Sequence, residues 1–160
     1  ALYMAKDLYE PKDGKWVFQY PDIDEEIPLG EFSEYGNGKE LTIITYGNGL
    51  YLSLQAKKEI EKKLKKKIKV IDLRWLSDIN IQKLLNAIGT CENVLIVDEC
   101  RQTGCHGEGL ISNLLSASNK HLNIKLHAAE DSFISIGIAA TATLPSKESI
   151  IKHGLELVNG

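Results

Sequence analysis

The chain has 160 residues, the length of one ordinary domain, with 43% hydrophobic and 26% charged residues and a formal net charge of −3. These totals exclude a disordered or fibrous chain. No apolar run approaches the ~20 residues that span a bilayer, and no basic-then-apolar leader opens the sequence, so the expected compartment is the cytoplasm, with no membrane partner. Cys91, Cys100 and Cys105 are too few and too irregular for a disulfide framework and are expected as reduced thiols.

Residues 1–36 differ in texture from the rest. Pro11, Gly14, Pro21, Pro28 and Gly30 punctuate them, which predicts an extended arm, with Trp16–Tyr20 as its one candidate for a short strand. The opening Ala1-Leu2-Tyr3-Met4 is apolar and lacks an initiator methionine, as expected of a chain continuing from upstream domains.

Residues 37–160 then alternate apolar runs with helical patterns. The runs are Leu41–Tyr46, Ile68–Leu73, Val94–Val97 and Ile124–Ala128, and the helical patterns are Leu50–Lys66, Ile79–Ile88, Gly107–Ser118 and Lys147–Val158. Val- and Ile-rich runs without polar alternation mark strands buried on both faces, and intervening helices supply right-handed crossovers. The expected fold is a three-layer α/β/α domain. The lysines between Lys57 and Lys69 suggest an anionic partner, but Leu52, Ala56, Ile60 and Leu64 recur every fourth residue beneath them. A solvated helix face explains the charge without nucleic acid.

The stretch Asp98-Glu99-Cys100-Arg101-Gln102-Thr103-Gly104-Cys105-His106-Gly107-Glu108-Gly109 reads as strand, glycine-rich turn, helix. Such turns lie where open parallel sheets bind their ligands and partners. An anion cradle at the helix start is one reading, but the carboxylates of Asp98, Glu99 and Glu108 would repel phosphate, and a backbone turn or protein contact fits better. Cys100, Cys105 and His106 lack metal-ligand spacing, and Cys100 reads as a buried thiol rather than a nucleophile. Gly47-Asn48-Gly49 stands where a dinucleotide fingerprint would, with Asp72 at the ribose-binding distance. The third glycine is replaced by Leu52, the position expected to pack closest to the strand, so a plain tight turn is the simpler reading. Asp72, Arg74 and Trp75 form either a ligand-facing cluster or a structural one, in which Arg74 pairs with Asp98 or Glu99 and Trp75 covers the sheet edge.

Several segments in order resemble one family: residues 1–9, Ile27-Pro28-Leu29-Gly30-Glu31, Leu41–Gly49, Asp72-Leu73-Arg74-Trp75-Leu76, Asp98–Arg101 with Thr103-Gly104, Ala129–Ile134 and Ala139–Ser146. Together they resemble the transketolase-like C-terminal domain in the β part of the thiamine diphosphate-dependent decarboxylating component of 2-oxo acid dehydrogenase complexes, most closely the versions in which α and β parts are fused. Gln102, Cys105, Ser135 and Asp78 depart from the family pattern.

The resemblance implies a mostly parallel sheet of about five strands, one antiparallel. It implies no catalytic residue and no bound cofactor in this chain, because thiamine diphosphate and magnesium sit in the family's other domains. The chain alone is then inactive. Its implied partners are the thiamine-binding domains of the same polypeptide, a homodimer partner and the dihydrolipoyl acyltransferase core. The residues expected at an interface or strand-end loop are Gly47, Asn48, Gly49, Asp72, Arg74, Trp75, Asp98, Glu99, Arg101, Thr103, Gly104 and His106.

Overall fold

The computed structural model describes residues 4–160; the first three residues, where the apolar opening was read, lie outside the described residues. Five strands, β1 (Ser33–Tyr35), β2 (Thr42–Thr45), β3 (Lys69–Asp72), β4 (Asn93–Arg101) and β5 (Asn123–Ala129), form one sheet in the order β1-β3-β2-β4-β5. Four helices, α1 (Asn48–Leu64), α2 (Ile81–Ile88), α3 (His106–Ala117) and α4 (Lys147–Asn159), and a 3₁₀ turn over Gly137–Ala142 complete it. Strands β2 to β5 pair in parallel, and β1 runs antiparallel to β3.

Side chains alternate across the sheet, so successive apolar residues feed two separate cores. Ile43, Val70, Leu95 and Val97 pack with Leu50, Leu54, Ala56 and Ile60 of α1 and Ile150 of α4. Ile44, Ile71, Val94 and Ile96 pack with Leu84 and Ile88 of α2 and Leu110 and Leu114 of α3. The result is the three-layer α/β/α sandwich expected from continuous apolar strands.

Three local readings need correction. Trp16–Tyr20 is not a strand, and the antiparallel strand lies at Ser33–Tyr35. The arm instead anchors through Leu8, which is buried, and through Trp16, whose ring stands edge-on to Tyr51 at 5.0 Å. In α1 the fully buried positions include Leu50, Ser53 and Leu54, whereas Leu52 and Leu64 are half-buried, because the helix packs against both the sheet and α4 and so buries a wider stripe. Lys57 and Lys69 are drawn inward to Glu61 (2.6 Å) and Glu34 (2.7 Å), leaving the rest of the lysine run more exposed.

Helix α4 docks on edge strand β5 through His127. Its Nε2 lies 2.7 Å from Ser149 Oγ, and its ring sits 4.5 Å from that of His153. Burial, with the neighbouring His153 and Lys125 charges, pushes His127 down to about 4 from an ordinary 6.5. The unfolded chain therefore takes up this proton first, and stability is lost as pH falls from about 6.5 to about 4. Because the ring is only partly shielded, the loss expected from His127 is about 1–2 kcal/mol. Thermal melts of wild type and His127→Gln between pH 7 and 4 check this: the gap between the two curves should close or invert as pH falls.

Candidate functional site

Strands β2, β3 and β4 run in parallel and end on the same side of the sheet, so topology alone gathers Tyr46–Gly49, Asp72–Trp75 and Asp98–His106 along one edge. Asp98 is the centre of this edge. Two extra residues between Val97 and Arg101 bulge β4 out of register with β5, and Asp98 opens the bulge while remaining only 1% exposed. Its Oδ1 accepts from the Tyr46 hydroxyl at 2.6 Å and from Cys100 N at 2.9 Å, and its Oδ2 accepts from Gly107 N at 3.0 Å. One carboxylate thereby joins the end of β2, the bulge of β4 and the first turn of α3. Burial, then the hydrogen bond to Asp98, pushes the Tyr46 phenol well above its ordinary range.

The other loop carboxylates are used in the same way. Glu108 Oε2 accepts from Gly104 N at 2.7 Å, closing the turn into α3, where Gly104 has φ +78°. Asp131, after β5, accepts from both the amide (2.8 Å) and the hydroxyl of Thr103, and these bonds hold its carboxyl below the usual range. Asn48 Nδ2 donates to Glu99 at 2.5 Å. The amides that would cradle a phosphate thus face the chain's own carboxylates, and a diphosphate with its magnesium does not fit this donor set. Among the described residues no three His, Cys, Asp or Glu side chains are placed to hold a metal.

The glycine turn after β2 is built for packing. Gly47 takes φ +56°, and a Cβ on Gly49 would stand 2.1 Å from Thr45 Oγ1, which itself donates to Val97 O at 3.0 Å. Gly49, not Leu52, is the position pressed against the strand; Leu52 faces a groove with Leu144 and Pro145.

Arg74 does not pair with Asp98 or Glu99, which have the partners just given. A positive φ of 54° turns it back toward Asp72, with Nε 3.8 Å from Oδ2. Burial raises the Asp72 carboxyl. Trp75 is half-buried, its indole Nε1 shielded with no hydrogen-bond partner among the described residues, and His106 stands edge-on to Tyr46 with its Nε2 likewise shielded. Cys100 is exposed rather than buried, because the bulge turns it outward; Cys91 and Cys105 are buried, and burial pushes the Cys105 thiol up, away from nucleophile chemistry.

Arg101 and Thr103 border an open groove of about 940 Å³ with Cys100, Asp131, Phe133 and Ile134. The residues beyond β5 carry part of the family pattern but were not among the expected site residues, yet Phe133 (86%), Ile136 (94%) and Ile138 (90%) stand exposed there. Their signal was available: apolar residues belonging to no helical or buried-strand run. Tyr46 and Asp131 were also missed, the first hidden in an apolar run and the second paired only through tertiary structure. No helix among the described residues is long and apolar enough to cross a membrane.

Residues 30–144 match the family model described as transketolase, C-terminal domain. The chain is 25% identical over 140 residues to the pyruvate dehydrogenase E1 component subunit beta of Staphylococcus aureus, covering 86% of this chain and 43% of the relative. It is 26% identical over 137 residues to the same subunit of Staphylococcus epidermidis, covering 84% and 42%. The chain therefore spans less than half the length of these curated relatives. Among solved structures, a split gene transketolase, an inactive beta4 tetramer, superimposes with a TM-score of 0.73 at 17% identity, covering 89% of this chain and 46% of that one. The 2-oxoglutarate:ferredoxin oxidoreductase of Magnetococcus marinus superimposes with a TM-score of 0.57 at 15% identity, covering 80% and 20%. With most of its length matched to the family model, and with the mixed sheet and strand order to go with it, the chain belongs to the transketolase C-terminal domain family.

Proposed function

We propose that this chain is the assembly and docking domain of a thiamine diphosphate-dependent 2-oxo acid dehydrogenase, an enzyme that decarboxylates a 2-oxo acid and passes the acyl group to lipoamide. One observation carries this reading. The strand-end loops, where a catalytic centre would be sought, use their carboxylates and amides on one another, and beside them an apolar segment stands in solvent. Exposed apolar patches of this kind mark contact surfaces. Likeness to E1 subunit beta supplies the enzyme class. The partners are the thiamine-binding domains of the same polypeptide, which hold the thiamine diphosphate and magnesium, then a second copy in the dimer and the dihydrolipoyl acyltransferase core.

The test is assembly. Mixed with a polypeptide carrying the thiamine-binding half of the parent enzyme, the chain should form a complex stable to gel filtration. The triple variant Phe133→Ser, Ile136→Ser, Ile138→Ser should weaken that complex by at least about tenfold while leaving the melting temperature within a few degrees, since these side chains bury nothing in the isolated fold. A variant that assembles as well as wild type would remove the apolar segment from the contact.

A further inference from the structure

Opposite the strand-end loops, at the pole where α1 ends and β3 begins, five lysines crowd into six residues: Lys62, Lys63, Lys65, Lys66 and Lys67. All are exposed. Among the described residues two of them have ion-pair partners, Lys66 with Glu40 at 2.6 Å and Lys67 with Glu61 at 3.2 Å, and Glu61 is already shared with Lys57. Lys62, Lys63 and Lys65 make no ion pair among the described residues. Cations in a last helical turn complement the helix dipole, but that effect fades within the turn, and Lys66 and Lys67 lie beyond the helix end. Adjacent like charges repel one another, so a partner of opposite charge would relieve the cluster.

The same chain carries the opposite feature. In the arm, Pro21-Asp22-Ile23-Asp24-Glu25-Glu26-Ile27-Pro28 holds four carboxylates in five residues between two prolines, folded about a turn in which Glu25 N donates to Asp22 O at 3.0 Å. Every one of these eight residues is exposed, Ile23 at 98%, and none of the four carboxylates makes an ion pair among the described residues. The arm is held on each side of this segment: Trp16 lies against Tyr51, and Glu31 pairs with Lys83. Among the described residues the arm's ion pairs reach α1 no farther along than Lys58, through Glu10 at 3.0 Å. Two charge clusters of opposite sign thus stand exposed on one chain, with no ion pair between them among the described residues.

We propose that Asp22, Asp24, Glu25 and Glu26 of one copy dock on Lys62, Lys63 and Lys65 of a second copy, so that each arm neutralises its neighbour's lysine pole. The contact is separate from the strand-end loops and stands whether or not the assembly reading is right. An acidic arm also accounts for a basic patch on a chain of net charge −3 without invoking nucleic acid, for which the patch offers no aromatic stacking platform.

Charge exchange tests this directly. Sedimentation at low ionic strength, about 0.02 M, should show concentration-dependent self-association of the wild-type chain that is lost near 0.3 M, where screening reaches within a few ångströms. The patch variant Lys62→Glu, Lys63→Glu, Lys65→Glu should lose this salt-sensitive association when alone, and so should the arm variant Asp22→Lys, Asp24→Lys, Glu25→Lys, Glu26→Lys. An equimolar mixture of the two should associate again, because each now carries the complement of the other. Unchanged melting temperatures of both variants confirm that exposed charges alone were altered. A wild-type chain whose association does not respond to salt, a patch variant that keeps the salt-sensitive association alone, or a mixture that does not regain it would overturn the proposal. Monomeric wild type that nonetheless binds an oligonucleotide or a poly-glutamate peptide at the lysines would assign the patch to a different partner and overturn it equally.

Discussion

Asp98→Ala is expected to destabilise the chain by about 3–4 kcal/mol, the largest effect of any single substitution at the strand-end loops. Alanine removes the acceptor shared by the Tyr46 hydroxyl, Cys100 N and Gly107 N. A buried donor left without a partner costs roughly 1–3 kcal/mol, and partial solvation of Tyr46 and Cys100 keeps the sum below three full penalties. For a domain of this size that is a fall of roughly 10 °C in melting temperature. Asp98→Asn separates the contributions. Its carbonyl can keep the Oδ1 bonds to Tyr46 and Cys100, while its amide is set against Gly107 N–H, so a loss of only about 1–2 kcal/mol is expected. Denaturant melts of the three proteins check the order wild type, Asn, Ala. Equal stability of Ala and wild type would mean that the carboxylate does not tie the loops together.

Gly49→Ala is the second large effect, about 2–3 kcal/mol. The new methyl would stand 2.1 Å from Thr45 Oγ1, a β-branched side chain with almost no exposure and a hydrogen bond to Val97 O. Thr45 must leave its rotamer and that bond, or α1 must move off β2, and either response lies in the range of an overpacked core. Removing the obstacle should relieve the strain. The double variant Gly49→Ala, Thr45→Ala is expected to be more stable than the sum of the single losses by at least about 1 kcal/mol, a coupling that a double-mutant cycle in denaturant measures. Strict additivity would show that glycine is present for some reason other than this contact.

The layered fold was legible because its signals are local and repeated. Four apolar runs became the four parallel strands, each within a few residues of its predicted limits, and four periodic segments became the four helices. Strand β4 ran longer than read, since Asp98–Arg101 continue it as a polar bulge that hydrophobicity alone does not mark. The antiparallel β1 was hidden because Ser33-Glu34-Tyr35 is short and polar, and only pairing with Val70 to Asp72 makes it a strand. At the candidate site the sequence located the right loops, since strand-end turns are fixed by topology, but it misassigned contacts within them. Arg74 faces Asp72 because of a backbone twist no residue pattern records, and Cys100 is turned outward by the bulge. Asp98 was marked as a loop carboxylate, yet its role as the buried knot of three elements depends on residues 46, 100 and 107 meeting in space.

On the proposed function, this edge makes contacts and leaves the thiamine chemistry to other domains. Calorimetric titration of the chain with thiamine diphosphate in the presence of magnesium decides between these roles. Because the loop amides and carboxylates satisfy one another, no saturable heat is expected up to millimolar cofactor. Saturable binding at micromolar cofactor, lost in the Asp98→Ala variant under conditions where that variant is still folded, would contradict the claim and make the edge a cofactor site.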